Sequence, residues 1–234
     1  MIGIIGAMPM EIEGLLAQIS DVKRHDICGM QFNQGMLEGK SVVLACCGIG
    51  KVNAAMYAAA MIVSFPITAI INPGVAGAIA RALNIGDIVV ANELVHHDMR
   101  SEAFGYAPGQ VPGLDTLTFK ADEALIAHAM DAYADILKSS GHKAYNAPIA
   151  TGDQFISEKA EREYIWDTFG SYCVEMEGAA IAQVCYINNI PFLSVRCISD
   201  NANGAATDDF NEFAKASSLI SKKLIARLVK TLTC

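Results

Sequence analysis

The chain has 234 residues, the size of one compact domain able to bury a large core. Hydrophobic residues make up 53% and charged ones 18%, below the roughly 25% charged that is usual in soluble domains. Such a chain is deeply buried or carries an apolar subunit interface; we expect both, and hence a homodimer. A net charge of −8 without a basic run excludes a nucleic-acid partner.

The predicted elements alternate strand and helix. Residues 1–7 (MIGIIGA) read as a strand ending on Gly6-Ala7, and residues 9–19 follow at helical spacing, with Pro9 suited to a first turn. Residues 30–39 and 40–48 form a hairpin about Glu38-Gly39. An alanine-rich helix runs from Val52 to Val63 and stops before Pro66. Residues 67–74 (ITAIINPG) form a strand with no polar alternation, as expected when both faces are covered. Residues 85–98 are another strand, and residues 100–118 a long loop of the kind usually kept for function. An amphipathic helix spans 121–140, a strand with its exit loop 144–156, and a short helix 159–166. Residues 173–178 (CVEMEG) are a strand, 179–188 a helix, 191–200 the last core strand, and 208–232 the C-terminal helix. This order predicts an α/β fold: a single three-layer domain over residues 1–234, with a mixed, mostly parallel central sheet flanked by helices.

The seven cysteines form no CxxC pair and sit in mostly apolar context, which predicts reduced, buried thiols in a cytoplasmic protein. The N-terminus lacks the basic and cleavage regions of a signal peptide. Residues 52–80 carry no charge, but Asn53, Pro66, Asn72, Pro73 and Gly74 break the run, so a core helix and a buried strand are expected rather than a membrane span.

Chemistry concentrates in acids at the ends of apolar strands: Glu175-Met176-Glu177, Ser199-Asp200 and, after the first strand, Glu11. Carboxylates are costly in apolar surroundings unless paired, protonated or used, and strand ends are where open α/β sheets bind ligands. Two residues apart on a strand, Glu175 and Glu177 would share a face. The alternative is that Glu177 simply opens the next helix, where an acid suits the dipole. Arg196, four residues before Asp200, could equally form a structural ion pair with it.

Glycine turns at Gly3–Ala7, Gly48–Lys51 and Gly74–Gly77 let backbone approach a ligand. They complete neither a dinucleotide fingerprint nor a P-loop: Asn53 stands where the former needs glycine, and Ala45 and Val52 break the latter. His96-His97-Asp98 resembles a metal motif, yet adjacent histidines on a strand point to opposite faces. Cys46-Cys47 cannot close an ordinary disulfide, and no GxSxG elbow occurs. Neither a metal nor a cofactor is expected.

GIIGAM with Glu11, CGIGKVNAA, INPGVAGA, HHD with AFGY, TGDQFI, VEMEGAA and VRCISD occur in order over essentially the whole chain. Together they resemble the bacterial 5′-methylthioadenosine/S-adenosylhomocysteine nucleosidases of the purine nucleoside phosphorylase superfamily. The resemblance implies hydrolysis of the N-glycosidic bond of a 5′-thio-substituted adenosine. By the same resemblance, Asp200 donates a proton to purine N7, Ser199 orients it, and Glu11 activates the attacking water beside Glu175 and Arg196. Glu177 and the Met176 backbone would hold the ribose hydroxyls, Phe155 would stack on the base, the Ile156 backbone would read its edge, and Gly77 would lie close to the nucleoside. Met8, Ile49 and Phe210 would line the 5′-alkylthio pocket. Phe104, Tyr106 and Pro112 match residues that the family supplies from the neighbouring subunit. The chain departs from the family at Val75, where serine is usual, at Pro73 and Ala78, and at residues 99–101.

Physical logic agrees with this assignment. Cleaving a nucleoside bond needs an acid for the leaving base and relief for an oxocarbenium-like sugar. Asp200, at the end of a buried strand, suits the acid, and a nearby Arg196 favours ionised Glu11 and Glu175. The rival readings are a nucleoside phosphorylase, a nucleosidase for an aminodeoxyfutalosine-type substrate, and a non-catalytic nucleoside-binding protein.

Overall fold

In a computed structural model, residues 1–138, 140–200 and 222–232 are described. The chain runs β1 (Ile2–Gly6), α1 (Pro9–Leu16), β2 (Ser20–Ile27), β3 (Met30–Leu37), β4 (Lys40–Cys46), α2 (Lys51–Ser64), β5 (Ala69–Ala78) and β6 (Ile88–His96). It continues through a short 3₁₀ turn (Glu102–Phe104), β7 (Phe119–Lys120), α3 (Glu123–Lys138), β8 (Ala144–Thr151) and α4 (Lys159–Phe169). β9 (Cys173–Glu175), α5 (Gly178–Asn188) and β10 (Phe192–Asp200) follow, and residues 222–231 form α6. The expected C-terminal helix is present over that last stretch; residues 208–221 lie outside the described residues.

One mixed sheet organises the chain, in the order β10-β6-β8-β9-β5-β1-β4-β3-β2, with β7 on β6. β10 also pairs β5, so β5, β10, β6, β8 and β9 close on themselves, and β1, β4, β3 and β2 extend outward from that ring. Side-chain alternation accounts for the layers. On β1, Ile5 joins one core with Ala54, Ala58 and Met61 of α2 and Ile181 and Cys185 of α5. Ile2 and Ile4 join the other, with Ile12 and Leu15 of α1, Leu125 and Tyr133 of α3, and Leu224 and Leu228 of α6. Strands covered on both faces favour apolar side chains, as β1 has throughout; β10 is also buried at every position, and its Ser194, Arg196, Ser199 and Asp200 are hydrogen-bonded there.

Two strands escape a hydrophobicity reading. β2 (SDVKRHDI) is mostly exposed and is held by its ladder to β3 rather than by a buried face. The turn joining them, Cys28-Gly29, has φ of 53° and 78°, the double positive φ that type I′ hairpins require. Glu38-Gly39 repeats that geometry at 47° and 76°. β7 is only two residues long.

Of the six described cysteines, Cys28 is exposed and Cys46 partly buried, so the expectation of buried thiols holds for the other four. No helix among the described residues is long and apolar enough to cross a membrane.

Candidate active site

The ring closure brings strand ends into line. Asp200 of β10 is in register with Gly77 of β5, Gly77 with Val174 of β9, and Glu175 with Thr151 of β8. β9 runs antiparallel to β5, so these residues meet across a register line rather than along one parallel edge. Gly77, Val174, Glu175 and Asp200 border a cleft of about 180 Å³.

β10 carries an irregularity between Ile198 and Asp200, opposite Ala76 and Gly77. An extra residue in a strand re-aims its neighbours. Here both Ser199 and Asp200 reach the cleft, and the Ser199 hydroxyl donates to Asp200 Oδ2 at 2.9 Å.

Beneath the cleft lies a polar floor. Arg196, 1% exposed, donates through Nη2 to Glu175 Oε2 and to Asn72 Oδ1, and through Nη1 to the Asn72 carbonyl at 2.8 Å. Asn72 is held in turn by donating to the Ile5 carbonyl at 2.7 Å. Glu175 also accepts from the Thr151 hydroxyl and from the amides of Glu177 (3.0 Å) and Gly178 (2.8 Å). Burial works against the Glu175 carboxylate, but the Arg196 charge and these donors outweigh it and hold its pKa below the usual range. Arg196 therefore does form a buried ion pair, with Glu175 rather than Asp200.

Glu11 reaches the cleft from the first turn of α1. Its Oε2 accepts from the amides of Ala7 (2.8 Å) and Met8 (2.9 Å), and its Oε1 from that of Val75 (3.2 Å). Gly74 makes this approach possible: a β-carbon there would stand 3.1 Å from both Glu11 Oε1 and Arg196 Nη1. The sequence argument expected Arg196 to keep Glu11 readily ionised. Instead burial dominates and raises the Glu11 pKa, because Arg196 and the three amides offset only part of the desolvation.

β9 ends at Glu175, and Glu177 is the N-cap of α5. The two acids thus do not share a strand face, yet Glu177 still lines the cleft and is 7% exposed. Its Oε1 accepts from the Gly50 amide at 2.8 Å. Burial and then the neighbouring Glu175 charge push its pKa up to about 8.

Most of the candidate residues converge. Met8, Glu11, Ile49, Gly77, Phe155 and Ile156 line the cleft with Glu175, Met176, Glu177, Ser199 and Asp200. Arg196 stands behind Glu175 rather than on the surface of the cleft. Phe104, Tyr106 and Pro112 are not among the lining residues, and Phe104 is 84% exposed. Phe210 lies outside the described residues. Sequence reasoning missed Gln154 in the lining, and Thr151 and Asn72 beneath it. Thr151 and Gln154 belong to the quoted TGDQFI stretch; Asn72 is a buried polar residue inside an apolar strand, a signal that could have found it.

Among the described residues no lysine, arginine or histidine side chain lines the cleft, and no group of three histidine, cysteine or acidic residues could hold a metal ion. His96, 4% exposed, is engaged with Gln183 at 3.0 Å.

Fold and cleft define a class: an α/β protein that gathers several carboxylates around a largely apolar pocket without a lining cation among the described residues. The family model described as the phosphorylase superfamily matches residues 1–232. The 5′-methylthioadenosine/S-adenosylhomocysteine nucleosidase of Oceanobacillus iheyensis is 40% identical over 230 residues, covering 98% of each chain. The crystal structure of the nucleosidase of that name from Neisseria meningitidis, in complex with methylthio-immucillin-A, superposes with a TM-score of 0.93 at 39% identity over 99% of both chains. A futalosine hydrolase of Helicobacter pylori matches with a TM-score of 0.92 at 33% identity, over 99% of this chain and 97% of that one. The chain belongs to the phosphorylase superfamily and, within it, to the 5′-methylthioadenosine/S-adenosylhomocysteine nucleosidase family.

Proposed function

We propose that this chain, as one domain over residues 1–234, hydrolyses the N-glycosidic bond of 5′-methylthioadenosine and S-adenosylhomocysteine, with 5′-deoxyadenosine as a further candidate substrate. Water attacks C1′ of the ribose as the bond from C1′ to N9 of adenine breaks. Asp200, oriented by the Ser199 hydroxyl, gives its proton to N7, so the base leaves neutral. Glu11 takes a proton from the water; a carboxylate whose pKa is raised toward the working pH is a better base than an ordinary one. Glu175, kept anionic by Arg196, supports the developing positive charge on the sugar. Glu177 and the Met176 backbone take the ribose hydroxyls, Phe155 stacks on adenine, and the Ile156 backbone reads its edge. Gly77 lets the nucleoside approach the strand. Met8, Ile49 and Phe210 receive the apolar 5′-thio substituent.

The observation that carries this reading is a cleft in which Glu11 and the Ser199–Asp200 pair meet without a lining cation among the described residues. Phosphorolysis needs a site for a phosphate anion, normally built from basic side chains, and Val75 adds an apolar side chain in the same wall. Adenine release from methylthioadenosine, measured with and without phosphate, tests it. Phosphate-independent release with free 5-methylthioribose is expected; release only with phosphate overturns it. The likeness to a futalosine hydrolase makes an aminodeoxyfutalosine-type nucleoside the second substrate for the panel.

The reading includes a homodimer. Val52, Met56 and Val63 form an exposed apolar stripe on α2, and Tyr186 and Ile187 are exposed on α5, which packs against α2. Ile49, 54% exposed, lies both in the cleft and at the head of that stripe. A partner seated there reaches the cleft mouth, where its Phe104, Tyr106 and Pro112 would complete the 5′ pocket. The reading also includes a cytoplasmic location, which the mostly buried thiols suit.

A further inference from the structure

Two segments that border the cleft, at Ile49 and at Gln154, are tied to a third that does not by a closed ring of interactions which the reaction itself does not use. Asp98 follows β6, Lys51 opens α2, and Asp153 leaves β8. Lys51 Nζ donates to Asp98 Oδ1 at 2.6 Å. The Asp153 amide donates to Asp98 Oδ2 at 2.9 Å. The Asp153 carboxylate closes the ring by accepting from the Lys51 amide at 2.8 Å. Side-chain exposures of 20% and 17% for Lys51 and Asp98 place the ion pair in partial shelter, where a bridge is screened less than on an open surface.

The ring's neighbours are the cleft's own residues. Gly50, next to Lys51, donates its amide to Glu177 Oε1. Its φ is +100°, and a β-carbon there would come within 3.1 Å of Asp153 Oδ1. Gln154, Phe155 and Ile156, next to Asp153, line the cleft. Two successive amides at the start of α2 thus hold two carboxylates from different elements, Glu177 and Asp153. The Gly50 and Lys51 amides flank one α-carbon, that of Gly50, so their bonds to Glu177 and Asp153 together restrict the two soft dihedrals there.

We propose that Asp98 and Lys51 are positioning residues that set, through Asp153 and Gly50, both the carboxylate of Glu177 and the segment from Gln154 to Ile156. The proposal rests on the nucleosidase reading for what those two parts bind. Asp98 touches neither; it orients the groups that do. Burial of Asp98 is outweighed by Lys51 and the Asp153 amide, which hold its pKa below the usual carboxylate value, so the clamp stays charged at neutral pH.

A double-mutant cycle tests this on the full-length protein, with kinetics of adenine release and the unfolding temperature measured for each variant. Asp98→Asn keeps shape but replaces one acceptor with a donor facing the Asp153 amide; Lys51→Met removes the cation. Each is expected to lower kcat/KM by about tenfold to a hundredfold, the scale of a small misplacement, with KM raised. The double variant should lose no more than the worse single one, and Lys51→Arg should recover most of the activity. Hydrogen exchange gives a readout independent of activity: the Gly50 and Lys51 amides should lose protection in Asp98→Asn. Wild-type kinetics in both single variants, additive losses in the cycle, or unchanged protection of those amides each overturn the clamp. A wild-type protein that releases no adenine sinks the nucleosidase reading instead, and exchange then decides the clamp by itself.

Discussion

Arg196 lies across the cleft floor with its guanidinium on the Glu175 carboxylate, the two side chains 1% and 3% exposed. A pair this buried matters most when one partner is removed, because the other is left as an uncompensated charge. Arg196→Met is expected to cost about 3–5 kcal/mol of folding stability, read as a lower urea midpoint with an unchanged slope. Adding Glu175→Gln should recover part of that loss, since the stranded charge goes with it. A single variant as stable as wild type would remove the pair from the fold's support.

Glu177 makes stability fall as pH rises. Its folded pKa, pushed up to about 8 from 4.5, means that the folded protein holds a proton which the unfolded chain releases between those values. Stability falls wherever the folded state binds more protons, so the contribution is full below about pH 4.5 and fades through about pH 8. Glu11 shifts the same way; Glu175 shifts oppositely and loses its share as pH falls. Glu177→Gln should therefore gain in unfolding temperature relative to wild type from pH 5 to 9, while binding nucleosides more weakly. A difference that does not vary with pH would disprove this titration.

Asp200→Asn removes the proposed proton donor while keeping its size. Turnover should fall about 10²- to 10⁴-fold, the usual yield of general acid catalysis. Ser199→Ala removes only the hydroxyl that donates to Asp200 and should cost less. Near-normal turnover of Asp200→Asn on methylthioadenosine would take Asp200 out of the role of acid.

Charging the α2 stripe tests the shared site. Met56→Asp with Val63→Asp, both at exposed positions, should give a monomer by sedimentation with little residual activity, because the 5′ pocket would lack its second wall. A fully active monomer argues that one chain completes the cleft by itself.

The α/β pattern was legible because strands covered on both faces are largely apolar, as β1 and β5 are nearly throughout. β2 was not, because its side chains are mostly solvated and its hold is a backbone ladder to β3. The acids Glu11, Glu175, Glu177 and Asp200 stood out in the sequence, since a carboxylate beside an apolar run demands a partner or a use. Their partners did not. Arg196 is four residues from Asp200 and 21 from Glu175, yet it pairs with Glu175. The donors to Glu11 and Glu177 include Val75 and Gly50, 64 and 127 residues away. Sequence by itself determined where the core strands and helices lie, because apolar runs and helical spacing are local properties. Only the tertiary structure decided which acid has its pKa lowered and which have theirs raised. Desolvation and Coulomb interactions depend on distance in space, and here the closure of β10 onto β5 sets that distance.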